Sequence, residues 1–233
     1  MKIAIIPARG GSKRIPRKNI KIFSGKPMIS YAITTARESG LFEHVVVSTD
    51  DMEISEISRE WGAETPFIRP AELADDFTPT SPVIAHAILA CQSYGWEVDH
   101  TCCIYPVNPF IRINDILATF DLLQESGVDY SFPVTEFPSP IQRALRQLGN
   151  KTMHPFYPQY EMTRTQDLEL AYHDAGQFYW GKTEAWIAGR KIHSGGAGYL
   201  IPRWRVVDID TVEDWKRAEL IFKFLQEDEK KCH

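Results

Sequence analysis

Short, continuous apolar runs alternate with longer segments of helical period along most of the chain. Four of the runs have the length and composition of buried strands, at 3–7, 44–50, 101–106 and 128–136. The segments that follow them predict helices at about 27–38, 52–61, 81–94 and 113–126. Strands this apolar that alternate with helices indicate an α/β fold, with a mostly parallel central sheet flanked by helices.

This regular pattern stops between Phe137 and Ala171, where prolines, aromatic residues and polar residues follow one another without a period. A structureless loop of this length is uncommon in a compact domain. We therefore predict an excursion or a partner-binding arm at about 137–175. Two more strands are predicted at 177–181 and 205–210.

Two predicted helices carry start signals. Ser81 is the predicted N-cap of the 81–94 helix, with Pro82 at its first position. Thr211 is predicted to cap a last helix over 211–225, and Asp214 stands where the partner residue of a capping box belongs.

The composition fits one globular domain over residues 1–233. With 43% hydrophobic and 12% aromatic residues, the chain can bury a sizeable core, which excludes global disorder. No apolar run reaches the roughly 18 residues that a membrane span requires. The apolar start is only five residues long before a proline and a glycine pair, which predicts a first strand and not a secretory signal. We expect no membrane partner.

The cysteines show no C-x-x-C spacing and no histidine partner at metal-ligand spacing; they are Cys91, Cys102, Cys103 and Cys232. The adjacent pair Cys102 and Cys103 would face opposite sides of a strand. We interpret these residues as reduced thiols, buried in a cytoplasmic protein.

Charge is distributed unevenly along the chain, although the formal net charge is only −5. Residues 1–37 carry nine basic side chains and no acidic one, which leaves 17 of the 26 basic residues and all 31 acidic residues for the remainder. The basic amino-terminal part is therefore a tail, a nucleic-acid patch or an anion site.

The loop after the first strand, in IIPARGGSKRIPRKN (5–19), concentrates this charge. Gly10 and Gly11 allow backbone N–H groups to converge on an anion. Five basic side chains supply positive charge at a density that fits a triphosphate: Arg9, Lys13, Arg14, Arg17 and Lys18. The alternatives are a solvated basic loop or a nucleic-acid contact. The acidic remainder and the lack of interleaved aromatic residues favour the triphosphate site over RNA binding.

Two aspartates near the carboxyl end form a second candidate group. Asp208 and Asp210 stand two residues apart on a strand-like segment, so both carboxylates point to one face. Carboxylate oxygens together with substrate phosphates are the ligands that Mg²⁺ prefers. The alternative is a pair of ordinary surface carboxylates.

Several motifs, taken together, resemble a known enzyme family. ARGGSKRIPRKN (8–19) is similar to the signature of the cytidylyltransferases that activate nonulosonic acids, the CMP-sialic acid synthetases. Four further segments resemble motifs of this family or stand in their places: VVVSTDD (45–51), RPAELADDFTPTS (69–81), YPVNPFI (105–111) and DIDT (208–211). Sialic acid enzymes have glutamine where Tyr105 stands. AYHDAGQFYWG (171–181), preceded by TRTQDLE (163–169), looks like the pseudaminic acid branch of the family.

The resemblance implies a Rossmann-like nucleotide-diphospho-sugar transferase fold with a dimerisation excursion, and therefore a homodimer. It implies that CTP and a nonulosonic acid, here pseudaminic acid, react to give the CMP-sugar and pyrophosphate, with Mg²⁺ as cofactor. Two alternatives remain: an N-acylneuraminate cytidylyltransferase, or a nucleotide-binding regulator without catalysis. The regulator would lack an aspartate of DIDT or the loop lysine, and both are present.

The resemblance also assigns roles to individual residues. Arg9, Lys18, Asp208 and Asp210 carry catalysis, and the two aspartates also bind the metal. Nucleotide binding is assigned to Arg9, Gly10, Gly11, Ser12, Lys13, Asn19, Arg69 and Thr80. Lys13, like Arg14, either contacts phosphate or faces solvent. Arg69 and Thr80 contact the cytosine edge, unless Arg69 merely pairs with Glu72 or Asp75.

The sugar acid is assigned to a third set of residues: Tyr105, Arg164, Gln166, His173, Asp174, Gln177 and Tyr179. Arg164 and Gln166 lie in the excursion, which in this family packs across a dimer and can reach the neighbouring site. An arginine is the natural bidentate partner of the sugar carboxylate. Asp174 either accepts a hydrogen bond from the sugar or is a turn residue.

Overall fold

The computed structural model describes residues 1–231, with side chains described as far as Glu227, so Cys232 lies outside the described residues. The strands are β1 Lys2–Pro7, β2 Ile22–Phe23, β3 Lys26–Pro27, β4 His44–Ser48, β5 His100–Ile104, β6 Tyr130–Glu136, β7 Leu145–Gln147, β8 Met153–Pro155, β9 Tyr172–Asp174, β10 Phe178–Lys182 and β11 Ala197–Leu200. The α-helices are α1 Met28–Glu38, α2 Met52–Glu60, α3 Thr80–Ser93, α4 Ile113–Ser126, α5 Thr183–Ile187 and α6 Val212–Lys231.

The central sheet has seven strands, in the order β11-β6-β10-β5-β1-β4, with β9 added to β6. β1 lies between β4 and β5 and is parallel to both. β10 is antiparallel to β5 and β6, and β9 is antiparallel to β6. Five of the seven strands therefore point in one direction, and the predicted α/β fold class with a mostly parallel sheet is confirmed.

Helices cover both faces of this sheet. The side chains from Ile3 to Ile6 are fully buried and alternate between two apolar clusters. One cluster includes residues of α1, α2 and α4, and the other includes residues of α3 and α5. A strand with helices on both faces buries every side chain, which is why the sequence shows continuous apolar runs and no alternation.

A third apolar cluster lies beside α6 and joins two distant segments of the chain. Ile15, from the basic loop, and Ile209, from between the two aspartates, are both almost fully buried against Trp215 of α6. The loop and the aspartate segment are therefore anchored to the same helix.

Most predicted elements are present, but two details were wrong. α3 begins at Thr80, so Ser81 lies within the helix and gives no side-chain cap. Pro82 is tolerated because N–H groups in the first turn have no intrahelical acceptor. The strand predicted at 205–210 is absent: Arg205 ends a 3₁₀ turn, and residues 206–210 have no strand neighbour in the sheet. The predicted alternation of exposed and buried side chains is present, because Ile209 is buried between two more exposed aspartates.

The predicted cap of the last helix is confirmed. The backbone N–H of Thr211 donates to Asp214 Oδ2 at 2.8 Å, and that of Asp214 donates to Thr211 Oγ1 at 3.2 Å. This reciprocal pair satisfies two N–H groups at the start of α6.

The segment between β6 and β9 leaves the sheet and returns to it. It contains the hairpin β7–β8 and short 3₁₀ turns at 141–143, 158–160 and 165–167. Many of its large apolar side chains are exposed, among them Met153, Phe156 and Met162. In the part of the chain that the structure describes, no helix is long and apolar enough to cross a membrane.

Candidate active site

A cavity of about 670 Å³ lies where β1 and β5 end, between the basic loop, the start of α3 and residues 173–177 and 206–209. Ligands of open α/β sheets bind at this edge of the sheet. The cavity lining includes most of the predicted site residues: Arg9, Ser12, Lys13, Lys18, Asn19, Arg69, Thr80, Tyr105, His173, Asp174, Gln177 and Asp208. Segments far apart in sequence are therefore brought to one site.

Two interactions hold the basic loop in shape. The buried Asn19 side chain donates from Nδ2 to the carbonyl oxygen of Arg9 at 2.9 Å, which closes the loop on itself. Lys18 Nζ donates to the carbonyl oxygen of Ile209 at 2.9 Å and lies 3.2 Å from Asp210 Oδ1. Lys18 thus connects the loop to the aspartate segment, although 191 residues separate Lys18 from Ile209.

The N–H groups of Gly10 and Gly11 were predicted to converge on an anion, but a protein carboxylate already accepts the N–H of Gly10. The N–H of Gly10 donates to Asp50 Oδ1 at 3.0 Å, and a Cβ at Gly10 would lie 2.6 Å from Asp51 Oδ2. A Cβ at Gly11 would have no neighbour within 4 Å. A side chain at position 10 would have to displace the Asp51 carboxylate, which packs against the backbone there.

Arg17 does not take part in the cavity, contrary to the predicted five-cation anion site. Its backbone has a φ of 55°, an uncommon left-handed conformation for a residue with a side chain. Its guanidinium pairs with Asp51 and Glu53 at the start of α2. The hydrogen bond from Arg17 lowers the pKa of the Asp51 carboxyl.

The other four cations of the loop are paired with two aspartates. Asp76 lies 2.8 Å from Arg9 Nη1 and also contacts Lys13. Asp210 lies 2.7 Å from Arg14 and 3.2 Å from Lys18. The Lys13 hydrogen bond and the charges of Lys13 and Arg9 lower the pKa of Asp76. An incoming anion must therefore compete with carboxylates of the protein.

Asp208 and Asp210 lie close enough to interact electrostatically. Burial, and secondarily the charge of Asp210, raises the pKa of the Asp208 carboxyl. Among the described residues, no group of three or more His, Cys, Asp or Glu side chains could hold a metal ion. The two carboxylates repel one another and lie next to the cations of the basic loop. This arrangement suits a hard cation such as Mg²⁺, which would also take oxygen ligands from its substrate.

Arg69 forms a rigid part of the cavity wall. Its guanidinium is buried, donates from Nε to Ser48 Oγ at 3.1 Å and also bonds the Ser48 carbonyl oxygen. Burial lowers its pKa to about 10, against the opposing effect of the Asp50 charge. Its partner is Ser48, so the alternative pairing with Glu72 or Asp75 was wrong.

The remaining wall is aromatic and hydrogen-bonded. Tyr105 Oη lies 2.9 Å from Thr80 Oγ1, and the Tyr105 ring packs edge-on against Tyr179 with the centroids 5.6 Å apart. Burial raises the pKa of Tyr105 to about 12 and also raises the pKa of Tyr179. Tyr179 donates to Asp174 Oδ2 at 2.5 Å.

Gln177 is held by the backbone of Arg205, whose side chain belongs to a buried ion pair that the sequence did not predict. Its Nε2 donates to the Arg205 carbonyl oxygen at 2.8 Å, and the Arg205 guanidinium pairs with Asp115 at the start of α4. Asp115 and Arg205 are 90 residues apart, so no local pattern could reveal the pair. Gln177 Oε1 is buried without a hydrogen-bond partner.

The cavity lining does not include the predicted residues Gly10, Gly11, Tyr179 and Asp210, although Tyr179 bonds the lining residue Asp174 and Asp210 lies 3.2 Å from the lining residue Lys18. Arg164 and Gln166 also lie outside the lining of this chain. Both belong to the excursion, where Arg164 is exposed and pairs with the nearby Asp167 at 2.8 Å. The structure therefore does not bring these two predicted residues together with the others.

The chain was compared with protein families, with other proteins and with solved structures. A family model described as cytidylyltransferase matches residues 3–182. The pseudaminic acid cytidylyltransferase of Campylobacter jejuni is 41% identical over 95% of this chain and 96% of that protein. N-acylneuraminate cytidylyltransferase A of Danio rerio is 31% identical over 93% of this chain and 49% of that protein.

A solved structure of CMP:2-keto-3-deoxy-manno-octonic acid synthetase complexed with CTP matches with a TM-score of 0.69 at 15% identity. The match covers 97% of this chain and 99% of that chain, and at this identity it shows the shared fold. The family match over residues 3–182 and the 41% identity to the Campylobacter jejuni protein show that this chain is an enzyme of the nucleotidyltransferase type and belongs to the cytidylyltransferase family.

Proposed function

We propose that this enzyme activates pseudaminic acid, by transferring CMP from CTP to the anomeric hydroxyl with release of pyrophosphate. The observation that carries the proposal is the cavity itself, which is lined by cations of the basic loop and by Asp208, and also by Tyr105 and residues 173–177. Asp210 lies just outside the lining, 3.2 Å from Lys18. We call the part lined by the basic loop and Asp208 the cationic end, and the part lined by Tyr105 and residues 173–177 the sugar end. The higher identity to the Campylobacter enzyme than to the Danio rerio enzyme supports pseudaminic acid over N-acylneuraminic acid.

The cationic end is proposed to bind the triphosphate. Arg9, Lys13 and Lys18 would exchange their aspartate partners for phosphate oxygens, and the Ser12 hydroxyl would add a donor. Charge on the α-phosphate grows as the anomeric hydroxyl attacks in line with the leaving pyrophosphate. Cations already fixed in place stabilise that charge without reorganising during the reaction.

Asp208 and Asp210 are proposed to hold a divalent cation such as Mg²⁺. Such an ion neutralises phosphate charge and makes a bound hydroxyl a better nucleophile. Lys18 contacts Asp210 from the loop side, so it keeps the aspartate segment in register with the phosphate site.

The other groups of the wall are proposed to select the two substrates. Arg69, which Ser48 holds rigidly, and the Thr80 hydroxyl would contact cytosine. Gln177 Oε1 is a buried acceptor that lacks a partner, and a donor from the sugar acid would satisfy it. Tyr105, His173, Asp174 and Tyr179 complete the sugar end.

Replacing Asp76 by asparagine is expected to lower the KM for CTP about two- to fivefold with kcat unchanged, because partly exposed ion pairs are weak competitors. Asparagine keeps the size of the side chain but no longer neutralises Arg9 and Lys13. Steady-state kinetics with varied CTP measures the effect. Glu72→Gln removes an equal charge from the same loop and serves as the control. A higher KM in Asp76→Asn would instead mean that Asp76 itself contacts the substrate or its metal.

Pyrophosphate release in a substrate panel tests the proposed function. The enzyme is incubated with CTP or UTP and with pseudaminic acid or N-acetylneuraminic acid. We expect turnover with CTP and pseudaminic acid. Turnover with N-acetylneuraminic acid alone would assign the enzyme to the sialic acid branch, and CTP binding without turnover of any acid would favour the regulator.

A homodimer in the cytoplasm is also part of the proposal. The excursion exposes large apolar side chains such as Phe156 and Met162, and exposed apolar patches of this kind mark interfaces. A partner's excursion could supply Arg164 and Gln166 to the cavity. Buried free thiols at Cys91, Cys102 and Cys103 support a reducing compartment. Sedimentation equilibrium is expected to give twice the chain mass of 26.7 kDa, and a monomer would contradict the proposed dimer.

A further inference from the structure

The carboxylate of Asp174 lies at the cavity wall and is held by three groups of the protein. Tyr179 Oη donates to Oδ2 at 2.5 Å, and the backbone N–H of Gly176 donates to Oδ1 at 2.8 Å. The third group is His193, whose Nε2 lies 2.9 Å from Oδ2. A carboxylate offers about four acceptor positions, so about one remains for a donor in the cavity.

His193 belongs to the loop between α5 and β11 and does not line the cavity, and its side chain is 59% exposed. Its ring packs edge-on against Phe132, with the centroids 5.1 Å apart, and its centroid lies 6.1 Å from that of Tyr179. Because an ionised carboxylate only accepts hydrogen bonds, Nε2 must carry the hydrogen in this contact. The two aromatic neighbours restrict the orientation of the ring and therefore of that N–H.

We propose that His193 is a positioning residue for the sugar acid. With Tyr179 it fixes the rotation of the Asp174 carboxylate, and the remaining acceptor position then receives an N–H or O–H group of the sugar acid. The inference rests on the proposed function, because it takes the acid to bind at this end of the cavity. Asp174 carries a negative charge and would repel the triphosphate. Its partner in a substrate is therefore a polar, uncharged group.

Removing the imidazole leaves Tyr179 and Gly176 on the Asp174 carboxylate and lets water take the place of Nε2, so the carboxylate is held less firmly. Hydrogen bonds to charged groups are strong, so the KM for the sugar acid is expected to rise about tenfold in His193→Ala. The KM for CTP and kcat should stay within about twofold, because no phosphate contact is altered. His193→Gln places an amide donor near the position of Nε2 and is expected to recover most of the affinity.

A double-mutant cycle separates this role from a structural one. Asp174→Asn should raise the KM for the sugar acid by itself, and adding His193→Ala should then have little further effect, since the residue that His193 positions has already been altered. A structural role would instead raise both KM values, lower the melting temperature, and make His193→Gln as impaired as His193→Ala.

The controls distinguish failure of the inference from failure of the proposed function. Wild-type enzyme that turns over no sugar acid would refute the proposed function. Wild-type turnover with an unchanged KM for the sugar acid in His193→Ala would refute the inference alone. If only the KM for CTP rises, Asp174 binds the nucleotide, and the assignment of this wall to the sugar acid is wrong. Should His193→Ala not fold, His193→Leu keeps the apolar packing against Phe132 without the donor, and the same kinetics apply.

Discussion

Asp210→Asn is expected to reduce kcat by about 10²–10³-fold, which is the usual cost of removing one electrostatic group from a reaction centre. The asparagine keeps an oxygen that can accept from Lys18, now 3.2 Å from Asp210 Oδ1, so the loop should remain attached. What is lost is the negative charge that is proposed to bind the cation. The KM for the sugar acid should change little.

Kinetics over a range of Mg²⁺ concentrations checks this expectation. The Mg²⁺ concentration for half-maximal rate should rise in Asp210→Asn, and the melting temperature should stay close to that of wild type. Asp121→Asn, on an exposed position of α4, removes the same charge away from the cavity and should leave the kinetics unchanged. Near-normal turnover at saturating Mg²⁺ would remove Asp210 from the proposed ligands.

Lys18→Met is expected to lower kcat/KM for CTP by a similar factor of about 10²–10³. Methionine fills much of the space of the lysine stem but carries no charge. The substitution removes a proposed phosphate contact and the hydrogen bond from Nζ to the Ile209 carbonyl oxygen. Its effect should therefore exceed that of any other single cation of the loop.

Two further variants test whether the effect of Lys18→Met depends on the position and the shape of the cation. Lys26→Met removes an exposed lysine on β3 and should be nearly silent. Lys18→Arg keeps the charge but replaces a compact ammonium by a planar fork, so it should restore only part of the activity. If Lys18→Met kept its kcat/KM while Arg14→Met lost it, Arg14 would be the cation that acts on the phosphates.

The sequence predicts the elements of this fold well because their causes are local. The continuous apolar runs became β1, β4, β5 and β6, and the helical periods became the helices between them. The capping pair Thr211 and Asp214 formed because both partners lie within one turn. The strand predicted at 205–210 failed because a strand needs a neighbour in the sheet, and only tertiary structure supplies one.

For the candidate site too, local motifs identified the residues, whereas the contacts between them depend on tertiary structure. Motif residues from five separate segments line one cavity, as the resemblance implied. The sequence did not reveal that Arg17 pairs with Asp51 outside the cavity lining. Nor did it reveal that Asp76 pairs with both Arg9 and Lys13. Opposite charges are abundant in the chain, and which of them meet depends on how the loops dock.

The sequence alone determined the α/β class, the basic loop after the first strand and the aspartate pair before the last helix, because periodicity and motif are properties of neighbouring residues. Only the tertiary structure decided that Ile15 and Ile209 share one apolar cluster, that Lys18 bridges their two segments and that His193 supports Asp174. Such contacts join residues far apart in the chain, and they form only when the sheet order and the packing of α6 bring those segments together.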